Sequence, residues 1–165
     1  MFNTSKKNLF LAIFLISFIA LMSAYFLEYI LGYQPCNLCL YERIPYFLAI
    51  LILLANFKYN KLEKYFILFL IIIFFIATLL SLYHLGIEQG LIEESLLCNL
   101  EKGTNIVDKD EILKQLQQKN ISCKDVAFKI FGLSLTSFNI IISLLLTISL
   151  TKVYFKYEKN RQKKN

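Results

Sequence analysis

Four long apolar stretches, separated by short polar breaks, organise this chain. Leu9–Leu31 carries no charge before Glu28, Tyr65–Gly86 carries none at all, and Phe131–Phe155 carries none before Lys152. The remaining run, Ile44–Phe57, is short unless it begins earlier, around Leu38–Tyr41. A hydrocarbon core of about 30 Å takes roughly 20 helical residues, so the pattern predicts four membrane-spanning helices, over about 9–31, 40–57, 65–86 and 131–155. Residues 1–165 then form a single integral membrane domain. Its fold class is all-α, a four-transmembrane-helix bundle with two outward-facing loops, the second a long one over 87–130. Within that loop Glu111–Lys119 reads as a short amphipathic turn or two.

Composition agrees with this setting. Apolar residues fill 57% of the 165 positions and mean hydropathy is +0.55, whereas soluble domains are about 45–50% apolar. Lys6 and Lys7 ahead of the first apolar run resemble the start of a secretory signal. That run is longer than the roughly 7–15 residues of a signal core, and no small-x-small cleavage site precedes Gly32, so it is expected to remain as the first helix.

Charge orients the bundle. The N-terminal tail (Lys6, Lys7), the linker between the second and third spans (Lys58, Lys61, Lys64 against Glu63) and the C-terminal tail (Lys152, Lys156, Lys159, Arg161, Lys163, Lys164 against Glu158) together carry a net +9. The loop Ile87–Ile130 has six lysines against eight acids, a net −2. Basic segments stay on the cytoplasmic side, so both termini are expected there and both longer loops outside. The basic C-terminal tail is expected to touch anionic membrane lipid and is not read as a nucleic-acid site.

The candidate chemistry lies in the first outer loop, at Gln34-Pro35-Cys36-Asn37-Leu38-Cys39-Leu40-Tyr41-Glu42-Arg43. A Cys-x-x-Cys pair closes into a reducible disulfide, and nearby positive charge stabilises its thiolate. If a helix starts here, Cys39 and Arg43 at i and i+4 share a face, and a guanidinium cannot lose its proton. Pro35 suits the start of such a helix, whereas Pro45 disrupts the hydrogen bond to Tyr41. Cys98 and Cys123 lie in the second outer loop, so all four cysteines face the compartment where disulfides persist. Four cysteines allow three connectivities. Proximity favours Cys36–Cys39 and leaves Cys98–Cys123.

Other uses of four cysteines fit less well. Zinc held by four thiolates wants a second closely spaced pair, yet Cys98 and Cys123 are 25 positions apart; no metal is expected. Covalent haem needs His after the motif, and position 40 is Leu. A pair of purely structural disulfides, in a non-enzymatic membrane scaffold, is the alternative of a different class. A Cys-x-x-Cys loop, however, is too short to constrain the unfolded chain strongly.

With these residues in place, the chain resembles the disulfide bond formation protein B (DsbB) family. The likeness rests on four spans, Cys36-x-x-Cys39-x-x-x-Arg43 in the first outer loop and a cysteine pair in the second. It extends to Tyr83-His84-Leu85-Gly86-Ile87-Glu88-Gln89-Gly90, then Gly132-Leu133-Ser134-Leu135 and Asn139. Trp is absent; Phe128 and Phe138 occupy regions where such proteins often carry it.

The resemblance implies a protein-disulfide-forming oxidoreductase of the bacterial inner membrane. It would reoxidise a periplasmic DsbA-like thioredoxin-fold oxidase and pass the electrons to the quinone pool, ubiquinone or menaquinone. By that likeness Cys98 matches the cysteine attacked by the partner, giving a mixed disulfide that Cys123 helps resolve. Cys36–Cys39 would receive the electrons, Cys39 meets the quinone, and Arg43 binds and polarises it. His84 is a further candidate for the quinone site, through a hydrogen bond or proton path shared with Glu88 at i+4. Glu28 reads as an acid snorkelling to water, and Asn139 as a hydrogen bond between helices. A vitamin K epoxide reductase-like bundle also joins Cys-x-x-Cys, loop cysteines and a quinone, but usually places its reactive motif late in the chain.

Overall fold

The structure is a computed structural model that describes residues 2–58, 63–93, 98, 123–124, 129–130 and 132–162. Four helices dominate it: α1 (Phe2–Tyr29), α2 (Asn37–Lys58), α3 (Glu63–Glu88) and α4 (Leu135–Gln162). Each contains a stretch of 20 to 26 residues long and apolar enough to cross a membrane. The protein is thus an all-α, multi-pass membrane protein.

Their outer surfaces carry large apolar side chains such as Ile19, Phe26, Phe69, Phe75, Ile76 and Leu145, each about half exposed or more. In water these faces would demand cover; in lipid they are already solvated. The buried faces meet in a core of Phe10, Ile13, Leu21, Tyr46, Leu53, Ile67, Leu70, Phe74, Leu146 and Leu150. Helix α2 packs between α1 and α3, and α4 packs along α3. Thr78 Oγ1 donates to Ser143 Oγ at 3.0 Å across the α3–α4 seam, and small hydroxyl residues there let the backbones approach.

Helix limits differ from the apolar runs in informative places. Helix α2 begins at Asn37, so the dithiol motif forms its first turn. It continues through Pro45, although proline has no N–H for the Tyr41 carbonyl. Helix α4 begins at Leu135 rather than at 131, because a hairpin precedes it. Strands β1 (Lys129–Ile130) and β2 (Leu133–Ser134) pair antiparallel, Lys129 with Ser134 and Ile130 with Leu133. Gly132 has φ +83° in the connecting turn, a conformation that side chains other than glycine resist. The amphipathic turn expected over Glu111–Lys119, Phe128 and most of the 87–130 loop lie outside the described residues.

Candidate redox site

The end of α1 delivers the chain to the motif. Gly32, at φ +74°, lets the backbone reverse while Tyr33 N–H donates to Leu27 O at 3.0 Å, a helix stop of the left-handed kind. Cys36 then caps α2. Its carbonyl accepts the Leu40 N–H at 3.3 Å and its Sγ accepts the Cys39 N–H at 3.3 Å. A sulfur in the N-cap position thus takes one of the unpaired donors of the first turn, at the positive end of the helix dipole.

Cys39, one turn on, brings its Sγ to 2.6 Å from that of Cys36. This is well inside the contact distance of two unbonded sulfurs and is the approach of a pair that closes to a disulfide. The hydrogen bond from Cys39 and the neighbouring His84 hold the Cys36 thiol down to about 5, against a burial that pushes it up.

His84 lies behind this sulfur. It is 2% exposed, with Nε2 at 3.6 Å from Cys36 Sγ. On the other side of the ring Nδ1 is 3.0 Å from Glu42 Oε1 and 3.3 Å from Thr136 Oγ1. Thr136 Oγ1 also donates to Glu88 Oε1 at 2.6 Å. Asn139 Nδ2 donates to Glu42 Oε2 at 3.0 Å and to Ser81 Oγ at 2.8 Å, while Tyr46 donates to Asn139 Oδ1. Asn139 therefore joins α4 to α2 and α3, as a polar residue in lipid must if it is to be satisfied. His84 and Glu88 do share a face, 3.8 Å apart, but that face points inward to the motif.

Arg43 lines a pocket beside Cys39. Side chains of α1 (Ala20, Ala24, Leu27), of the 33–35 segment, of α2 (Cys39, Glu42, Arg43, Tyr46) and of α4 (Phe138, Asn139, Ile142) enclose it, with a volume of about 220 Å³. His84 is not among its lining residues. Arg43 pairs with Glu28, and its guanidinium stands 5.2 Å over the Tyr25 ring. Glu28 therefore holds Arg43 rather than reaching for water. Phe138 is in the pocket wall.

The second cysteine pair completes the site. Cys98 and Cys123 form a disulfide with Cα atoms 6.0 Å apart. Cys36, Leu38, Ile87 and Cys123 are buried in one apolar cluster, against which Cys39, Leu80, Tyr83 and Cys98 pack. Asn37 Nδ2 donates to Cys98 O at 3.3 Å, tying the start of α2 to the second pair.

Glu42, Tyr46 and Thr136 were not marked by the sequence reading. For Glu42 a signal was present: a carboxylate one turn inside a membrane-embedded helix is costly there and marks a functional position by default.

Comparison with known proteins agrees with the residue pattern. The disulfide bond formation protein DsbB family matches residues 6–153. An uncharacterized protein of Rickettsia prowazekii (strain Madrid E) is 35% identical over 161 residues, covering 94% of this chain and 91% of that protein. The SPbeta prophage-derived disulfide bond formation protein B of Bacillus subtilis (strain 168) is 31% identical over 106 residues, 64% of this chain and 68% of that protein. No solved structure matches. A family match across nearly all of the chain, together with a dithiol motif, a second cysteine pair and four membrane helices, makes this protein a member of the DsbB family of disulfide bond formation membrane proteins.

Proposed function

We propose that the protein is a quinone-linked thiol oxidase that regenerates a periplasmic DsbA-like dithiol oxidase. The observation that carries this reading is the packing of both cysteine pairs in one cluster, beside a pocket that presents Cys39 and Arg43.

In this reading a thiolate of the reduced partner attacks Cys98 of the Cys98–Cys123 disulfide, and Cys123 leaves as thiolate. The partner's second thiol then attacks the mixed disulfide and departs oxidised. The Cys98–Cys123 dithiol is reoxidised by exchange with Cys36–Cys39: the Cys123 thiolate attacks Cys36 in the shared cluster and Cys39 leaves at the pocket. Cys98 then attacks Cys123 of this inter-pair disulfide and Cys36, with its lowered pKa, departs as thiolate. Two electrons and two protons have now entered the Cys36–Cys39 pair.

A quinone supplies the acceptor for both. The pocket suits its ring: an apolar cavity of ~150 Å³ takes benzene, and this one is larger and mostly apolar-walled, with Arg43, Glu42 and Asn139 among its few polar lining groups. Arg43 would hold a ring oxygen and stabilise negative charge there. Glu28 fixes the guanidinium's position, and Cys39 would present its sulfur to the ring. His84 orients and polarises Cys36 from behind, a positioning role. A membrane-soluble acceptor would enter between α1 and α4. The site then faces outward at the bacterial inner membrane, with both termini cytoplasmic.

The test uses purified protein, quinone and either a reduced thioredoxin-fold oxidase or a small dithiol. Cys98→Ala should abolish quinone reduction driven by the protein partner and leave part of that driven by the small dithiol. Cys36→Ala should stop both. A Cys98→Ala protein that oxidises the partner at the normal rate overturns the two-pair reading.

A further inference from the structure

The sulfurs of Cys36 and Cys39 and a ring nitrogen of His84 all lie within 4.8 Å of one another. Two thiols and an imidazole so placed are also the donor set of a metal site. We propose that the reduced Cys36–Cys39 pair and His84 Nε2 bind a thiophilic divalent cation of the Zn²⁺ class, in a site that exists only while the pair is reduced. The site requires only that the pair be reducible and does not depend on quinone as the acceptor.

The geometry is close to what such an ion needs. Zinc takes thiolate sulfur at about 2.3 Å and imidazole nitrogen at about 2.0–2.1 Å, so neighbouring ligand atoms in a tetrahedron lie about 3.3–3.8 Å apart. Cys36 Sγ and His84 Nε2 are already at 3.6 Å. The two sulfurs, at 2.6 Å, must part by about 1 Å, on the same bond lengths; Cys39 borders the pocket and has space to turn. Three protein ligands leave a fourth position for water, as in other two-cysteine, one-histidine sites. Soft thiolate with imidazole selects zinc-like ions over calcium or magnesium.

An independent observation is the group behind the histidine. Glu42 Oε1 lies 3.0 Å from His84 Nδ1, which places the ring proton on Nδ1 and leaves Nε2 facing the sulfurs. Asn139 holds the other oxygen of that carboxylate. A carboxylate on the far nitrogen is the usual support of a zinc-bound histidine. The Cys39 N–H on Cys36 Sγ adds a donor to the first thiolate.

Binding takes both sulfurs as thiolates and the imidazole with Nε2 unprotonated, releases the protons these atoms still carry, and transfers no electrons. With both sulfurs committed to the ion, neither attacks a disulfide nor gives electrons to an acceptor, so the ion holds the protein reduced and inactive. Once the ion dissociates, oxidation of the pair by its disulfide or membrane electron acceptor joins the two sulfurs and abolishes the site.

Cobalt(II) serves as the probe, added without oxygen to the full-length, reduced protein carrying Cys98→Ser and Cys123→Ser. One Co²⁺ per chain should bind, with thiolate-to-cobalt charge-transfer absorption and tetrahedral visible bands, and Zn²⁺ should displace it. Prior oxidation of Cys36–Cys39 should abolish binding. His84→Ala and Glu42→Gln should each weaken it about tenfold or more, and His84→Cys should keep tetrahedral binding with stronger charge-transfer absorption. That variant and the oxidised protein decide the matter even if His84→Ala fails to fold. An octahedral spectrum without thiolate bands, equal binding by oxidised protein, or unchanged affinity in a folded His84→Ala would overturn the proposal. In the unsubstituted protein, Zn²⁺ should slow dithiol-driven turnover reversibly, with chelation restoring the rate; turnover unaffected by saturating Zn²⁺ would overturn the inhibitory role.

Discussion

At Cys36 three neighbours act on one sulfur: the Cys39 side chain, the Cys39 N–H and the His84 ring. Their common effect is a thiol whose pKa lies near 5 rather than 9. The sign follows directly. A depressed thiol pKa means that the reactive thiolate is present above about 5 and is lost as pH falls through that value. Alkylation of Cys36 in the reduced protein should therefore stay fast at pH 6 and decline below about 5, measured by mass spectrometry of the labelled peptide. His84→Ala should move that midpoint upward; an unchanged midpoint would remove His84 from the thiolate's support. Arg43 lends itself to a graded series. Arg43→Lys keeps charge but loses the planar fork, so partial activity with a raised quinone KM is expected. Arg43→Ala should do more harm, about tenfold or more in kcat/KM, on the scale of losing a charged transition-state contact. An abundant, kinetically normal Arg43→Ala protein would place the acceptor elsewhere.

Among the elements, α2 carries the motif and α4 braces it. The four spans were legible because lipid selects long apolar runs, and the first turn of α2 was legible from Pro35 and the cysteine spacing. The supporting network was not. Glu42, His84 and Asn139 are 42 to 97 positions apart in the pairs they form, and no periodicity within one helix encodes a contact between helices. The start of α4 was misplaced for a local reason: residues 131–134 are apolar enough to read as span, but the Gly132 turn leads into β2, Leu133–Ser134, ahead of the helix. Glu28 was misread for a similar cause, since its partner Arg43 lies on another helix. Asn139 tests the bracing. Asn139→Leu leaves Glu42 Oε2 and Ser81 Oγ without this donor. An unpaired buried group costs about 1–3 kcal/mol, whereas hydrogen bonds between membrane helices average about 0.6 kcal/mol. A loss of about 1 kcal/mol is expected, read as a lowered thermal midpoint in detergent, together with slower turnover.

For the whole molecule, charge distribution and site placement make one joint claim, that the cysteines face outward while the basic termini and linker face the cytoplasm. In a cysteine-free background, Asn105→Cys should react with an impermeant maleimide added to spheroplasts, and Lys163→Cys should react only after permeabilisation. The reverse pattern would contradict the orientation. The central claim, however, is that two cysteine pairs exchange disulfides within one cluster. The most direct measurement removes one sulfur from each pair. In a Cys39→Ser, Cys98→Ser protein the remaining Cys36 and Cys123, both buried in the same cluster, should join on mild oxidation into a single intramolecular disulfide, identified by mass spectrometry of the linked peptides. Two thiols that both remain free under those conditions, in a folded protein, would contradict the relay.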